Sequence, residues 1–132
     1  MADDTTTQAK NLILNFISHV HNHQFTEASN YFHDSLTIIK PDGTLINKNG
    51  WIKMVNGTEI SVVSNELLLW NFFELSDNNN LIFCGYTTKF TYHINSENKT
   101  ITEKAIFTAL LKKSDDQLKI HYLQRTGAMT DP

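Results

Sequence analysis

Thr100-Ile101-Thr102-Glu103-Lys104-Ala105-Ile106-Phe107-Thr108-Ala109-Leu110-Leu111-Lys112 is the stretch on which the fold turns. Its composition suits an extended strand, and Ala105, Ile106, Phe107, Ala109, Leu110 and Leu111 are apolar at even and odd positions alike. Successive side chains of a strand point to opposite faces, so an antiparallel sheet with one wet face alternates apolar with polar. This strand does not alternate, and both of its faces need cover. Helices earlier in the chain can cover one face of a sheet this size. A second copy of the chain is the economical cover for the other.

Three more extended segments flank it. Thr58 to Leu75 is long enough to need a bend or bulge, and Ser76-Asp77-Asn78-Asn79-Asn80 ends it. Leu81 to Ile94 follows, then the turn Asn95-Ser96-Glu97-Asn98. After Lys112 come Ser114-Asp115-Asp116 and a last segment, Leu118 to Thr126. Short polar connections between consecutive strands predict an antiparallel meander. Upstream, Pro41-Asp42-Gly43 is a turn signal between Leu36–Lys40 and Thr44–Lys48, a short hairpin. Trp51 to Val55 reads as a short helix closed by Gly57.

The N-terminal part is helical. Leu12, Ile13, Phe16, Ile17 and Val20 recur at helical spacing. Thr5-Thr6-Thr7-Gln8 has the form of a capping box, with Asp3 and Asp4 placed to favour the positive helix end. This helix should fade near Asn22. A second, shorter one from about Thr26 presents Ala28, Tyr31 and Phe32 on one side and ends at His33-Asp34. The expected fold is α+β: one domain over residues 1–132, with a cone-shaped curved antiparallel sheet packed on N-terminal helices.

Composition narrows the function classes. Fourteen acidic against eleven basic side chains give a net charge of -3. A mildly acidic chain with no basic run lacks the attraction that holds proteins on nucleic acid or anionic membranes, so neither partner is expected. Cys84 stands alone, which excludes an internal disulfide and argues against a cysteine-ligated metal. No apolar stretch approaches the roughly 20 residues that span a bilayer. The polar, acidic start lacks the features of a secretory signal, so a cytoplasmic location is expected. Asn56-Gly57-Thr58 and Asn98-Lys99-Thr100 then read as chance triplets, not glycan acceptors.

The order of long helix, short helix, hairpin, short helix and four-stranded meander resembles the nuclear transport factor 2-like superfamily over essentially the whole chain. That superfamily includes SnoaL-like polyketide cyclases, ketosteroid isomerases and the association domain of calcium/calmodulin-dependent kinase II. Phe32-His33-Asp34-Ser35-Leu36 through Lys40-Pro41-Asp42-Gly43 to Gly50-Trp51 looks like its first hairpin. Leu118-Lys119-Ile120-His121-Tyr122-Leu123-Gln124-Arg125-Thr126-Gly127-Ala128 is similar to the kinase hub's last strand. The resemblance implies a cavity between helices and sheet and pairing through the sheet. It transfers no reaction, because one fold here hosts enzymes, transport factors and hubs.

Isomerase-like members carry a carboxylate base just before the hairpin proline, where this chain has Lys40; an ammonium abstracts no proton unless burial lowers its pKa by several units. His19, His21 and His23 alternate, and residues two apart on a helix diverge, so they are expected to be solvated and not to bind metal. His33 and Asp34 are candidate acid–base residues, although neighbours in sequence point apart. Strand parity groups His121 with Leu123 and Arg125. From the hub-like tail, Arg125 is expected either to face the cavity and hold an acid or to pair with an internal Asp or Glu. Trp51, Tyr31, Trp70, Tyr86 and Tyr92 are candidate cavity or core aromatics. No phosphate loop or nucleophile motif is present. The expectation is a small homodimeric ligand-binding or assembly module without cofactor or metal. Its ligand is an apolar or acidic small molecule met by Arg125, His121, Trp51, Tyr31 and Lys40. The alternatives are a cyclase, isomerase or dehydratase using His33, Asp34 or His121, and a purely structural ring-forming hub.

Overall fold

Helix α1 (Ala2–His21) carries its apolar stripe along one side, burying Ala9, Leu12, Ile13, Phe16, Ile17 and Val20. The computed structural model describes the backbone of residues 2–78, 80–115 and 117–130, and the side chains of residues 5–78, 80–115 and 117–126. The expected contributions of Asp3, Asp4, Asn79 and Asp116 lie outside the described side chains. Thr5 to Gln8 sits inside α1 and not at its start. Thr5 is buried, four residues before Ala9 on the same stripe, so its side chain packs instead of capping.

Short α2 (Phe25–Ser29) and α3 (Lys48–Val55) complete the helices. The side chain of Asn47 caps α3, accepting from the Gly50 N–H at 2.8 Å. The strands are β1 (Phe32–Ile39), β2 (Leu45–Ile46), β3 (Ile60–Leu75), β4 (Leu81–Ile94), β5 (Lys99–Ser114) and β6 (Gln117–Thr130). Between β1 and β2, Gly43 turns with φ +87, and Asp42 accepts from the Thr44 N–H and hydroxyl at 2.9 and 2.6 Å. The thirteen-residue reading of the third meander strand corresponds to β5, and the four meander strands fall where the polar turns place them.

One curved sheet results, in the order β2-β1-β6-β5-β4-β3. All neighbours are antiparallel except β1 and β6, which run parallel. The sequence gives no hint of that pair, because its partners are about ninety positions apart. It also corrects the second helix. Tyr31 and Phe32 leave α2 early because the Tyr31 carbonyl accepts from the Ile120 N–H at 2.8 Å and Phe32 pairs with Ile120. His33 and Asp34 therefore lie in β1, not at a helix end.

The helices cover the inner face of the sheet, where Ile82, Cys84, Tyr86, Ala109, Leu111, Ile120 and Leu123 meet the α1 stripe. The pairing slips at three points in β3, between Val62 and Ser64, Leu67 and Leu69, and Trp70 and Phe72. Two slips in β6 leave His121 and Gly127 as extra residues opposite Leu110–Leu111 and Ala105–Ile106. Such bulges bend a strand and increase its twist, which lets the sheet wrap the helix.

Ile13 is fully buried while its neighbour Leu14 is exposed. Ile13→Ala should cost about 2–5 kcal/mol in urea unfolding. Leu14→Ala should stay within about 0.5 kcal/mol of the parent. Equal losses at the two positions would contradict the stated orientation of α1.

Candidate functional site

The end of α1 is tied to β3 by two histidines that the sequence suggested were merely solvated. The Nδ1 of His21 accepts from the Asn65 N–H at 3.1 Å, and the Nε2 of His23 meets the Val62 carbonyl at 2.5 Å. His23 reaches that carbonyl from a left-handed backbone, φ 61. His19 turns the other way, bonding the Gln24 side chain at 2.8 Å and stacking on Tyr31.

Two inner rows of the sheet carry the groups of this region. One row runs Asn65, Phe90, Glu103 across β3, β4 and β5. Another runs Trp70, Tyr86, Phe107, Arg125 from β3 to β6. Over these rows lies a pocket of about 150 Å³ between the end of α1, α3, β1 and the sheet. Phe16, Val20, Trp51, Phe90, Phe107 and Leu123 form much of its apolar wall, and Lys40, Asn65 and Arg125 also line it. Trp51 is set by packing edge-on against Phe32 at 5.0 Å between ring centroids and tilted against Phe16 at 5.9 Å.

The arginine charge in this pocket is already matched. Arg125 Nη2 donates to Glu103 Oε2, and Tyr92 donates its hydroxyl to Glu103 Oε1 at 2.7 Å. The guanidinium also lies over the Phe90 ring, 5.4 Å from its centroid. The side chains of Arg125 and Glu103 are 25 % and 13 % exposed, so a lone charge here would be costly and a pair is required. Burial, and then the bond to Glu103, raise the Tyr92 phenol above its ordinary range. Both Glu103 oxygens are thus engaged. Lys40 has its own acidic neighbour in Asp42, whose carboxyl is held low chiefly by the Thr44 hydroxyl.

Some inner-face polar atoms lack partners. Asn65 Oδ1 and Arg125 Nε, both on pocket-lining residues, are buried without a hydrogen bond, as are the Tyr86 hydroxyl and the Thr88 hydroxyl. Sequence reasoning missed Asn65 and Glu103, because only the cross-strand register brings them beside Phe90 and Arg125. Cys84 is no nucleophile: burial pushes its thiol up to about 12. Among the described residues, no three His, Cys, Asp or Glu side chains are grouped so as to hold a metal ion.

Of the expected site residues, Trp51, Lys40 and Arg125 line the pocket, and His121 and Tyr31 do not. Tyr31 borders an open surface groove with Asn11, Asn15, His19 and Lys119. The simple parity that grouped His121 with Leu123 and Arg125 fails at the bulge. Ile120 and Leu123 both face the core, opposite Leu111 and Ala109, and His121 is the extra residue between the two pairings. His121 stacks on His33 at 4.0 Å instead, and Asp34 is exposed beside Lys48.

The Nε2 of His121 is buried without a partner. Burial, His33 and Lys112 together hold its imidazole below the ordinary 6.5. The unfolded chain then binds more protons than the folded one as pH falls below about 6.5, so stability is lost on acidification until the folded pKa is passed. His121→Phe keeps an aromatic partner for His33 and should reduce the fall in urea midpoint between pH 7 and pH 5. An unchanged slope would contradict this assignment.

Comparison with known proteins agrees with the architecture. A nuclear transport factor 2-like protein of unknown function from Prochlorococcus superposes with a TM-score of 0.83 at 18% identity, over 96% of this chain and 94% of that one. A putative scytalone dehydratase from Novosphingobium aromaticivorans gives 0.82 at 12% identity, over 98% and 90%. A putative calcium/calmodulin-dependent kinase II association domain from Exiguobacterium sibiricum gives 0.78 at 12%, over 96% and 94%. At these identities the likeness shows the fold, which is nuclear transport factor 2-like, and nothing about activity. Among curated proteins, none matches the sequence. Residues 4–132 match one family model, and the chain belongs to that family, described as protein of unknown function (DUF3804).

Proposed function

We propose that this chain is a homodimeric ligand-binding module whose pocket at the end of α1 takes a small, largely apolar molecule. The observation that carries the reading is the pocket itself: aromatic and aliphatic walls around about 150 Å³, with its arginine already neutralised by Glu103. A volume near 150 Å³ is room for roughly one benzene-sized group. Binding sites of this kind are apolar with a few placed polar groups.

An acidic ligand, the other expectation for Arg125, is less well supported, because Glu103 already occupies the guanidinium. The enzymatic alternative draws on relatives named as a putative scytalone dehydratase and hexachlorocyclohexane dehydrochlorinases. Its acid–base candidates here, His33, Asp34 and His121, lie outside the pocket, and no other observation favours it. Binding therefore leads.

Pairing rests on the outer face of the sheet. Leu69, Phe72, Phe83 and Ile106 are exposed there in adjoining rows of β3, β4 and β5. The Phe72 ring lies so close over Gly85 that a Cβ at that position would meet it. A contiguous apolar patch of this kind is unusual on a free monomer. Light scattering should give about twice the 15.1 kDa chain mass, and Leu69→Glu with Ile106→Glu should return it to the monomer mass. A soluble native monomer would contradict the pairing. For the pocket, toluene should bind the native protein in calorimetry, and Val62→Trp, which fills the pocket, should weaken that binding at least tenfold. Toluene binding unaffected by Val62→Trp would place the ligand elsewhere.

A further inference from the structure

We propose that the pocket selects a neutral head group bearing both a hydrogen-bond donor and an acceptor, a primary carboxamide or an alcohol, recognised by Asn65 and Arg125. This rests on the pocket being a ligand site and adds the class of ligand it takes.

Two polar side chains on the pocket wall have unsatisfied atoms. Asn65 is 8 % exposed, and its Oδ1 has no partner. Its backbone is fixed by the bond from its N–H to His21, and it stands directly across from Phe90 on the inner face. Arg125 is fixed by Glu103 on one side and the Phe90 ring on the other, and its Nε–H is unpartnered. A buried amide oxygen needs a donor and a buried guanidinium N–H needs an acceptor. A carboxamide or a hydroxyl supplies both from one small group. Either also satisfies Asn65 if its amide is turned over, since each can donate and accept.

Charge excludes the neighbouring classes. A carboxylate entering here would come close to the Glu103 carboxylate, while the arginine charge it seeks is already offset. An ammonium would face the guanidinium and have no free carboxylate, because Glu103 is held by Arg125 and Tyr92. A purely apolar ligand would leave both orphan atoms buried and unpaired. Lys40, the remaining cation on the wall, has Asp42 beside it.

Calorimetry on the full chain at pH 7.5 with toluene, benzyl alcohol, benzamide and benzoate tests this. The ring is common to all four and only the head changes. Benzamide and benzyl alcohol are better hydrated than toluene, so a gain over toluene must come from bonds made in the pocket. At least one of them should bind tenfold or more tighter than both toluene and benzoate. Asn65→Leu should bring that compound to within twofold of toluene when both are measured on the variant. The native-protein series stands without the variant should Asn65→Leu fold poorly. Benzoate binding as tightly as benzamide and benzyl alcohol, or toluene binding as tightly as both, overturns the head-group assignment but leaves the pocket as a ligand site. Failure of all four to bind overturns the assignment and the pocket reading together.

Discussion

One helix has to cover a sheet longer than itself. Twenty residues of α1 span about 30 Å. Strands of 14 to 16 residues would reach about 45–55 Å if straight. The bulges in β3 and β6 bend the sheet around the helix but do not remove the excess. Near the end of α1 the inner face is also covered by α3, β1 and the β1–β2 turn, and a gap remains among them, lined by Phe16 and Val20 of α1, Trp51 of α3 and Ile38 of β1. The pocket is that remainder. Its polar content comes from the same end: His21 and His23 close the helix onto β3, and the Glu103–Arg125 pair is supplied by β5 and β6.

The same shortage acts on the other face. Among the described residues the helices pack on the inner face, while β3, β4 and β5 place Leu69, Phe72, Phe83 and Ile106 on the outer one. A sheet that is apolar on both sides with helices on one is a half-finished structure unless a second sheet meets it. The pocket and the proposed pairing face are thus separated by the thickness of one sheet, with β5 contributing Phe107 to the inside and Ile106 to the outside.

Much of the fold was legible because local rules act within each segment. The α1 stripe, the Pro41-Asp42-Gly43 turn, the helix around Trp51 and the four meander strands all follow from periodicity and turn chemistry. What was not legible depends on register between distant strands. The parallel pairing of Phe32 with Ile120 turns an apparent helix end into a strand and removes His33 and Asp34 from the inner face. A single extra residue in β6 sends His121 away from Leu123 and Arg125, which defeats any count by twos. Glu103 as the partner of Arg125, and Asn65 as the polar group beside Phe90, are visible only once β3, β4, β5 and β6 are aligned. Arg125 could be picked out beforehand from the hub-like tail, and Trp51 as a large aromatic ring in a short helix; a glutamate between Thr102 and Lys104 in a strand carries no such signal.

Backbone amide NMR during titration with toluene is the measurement that bears most directly on this account, because it locates the ligand without presuming its head group. The account predicts shifts concentrated at Val62, Asn65, Phe90, Phe107, Leu123 and Arg125, around the open end of α1. Shifts centred instead on His33 and His121, or on the groove beside Tyr31, would contradict it.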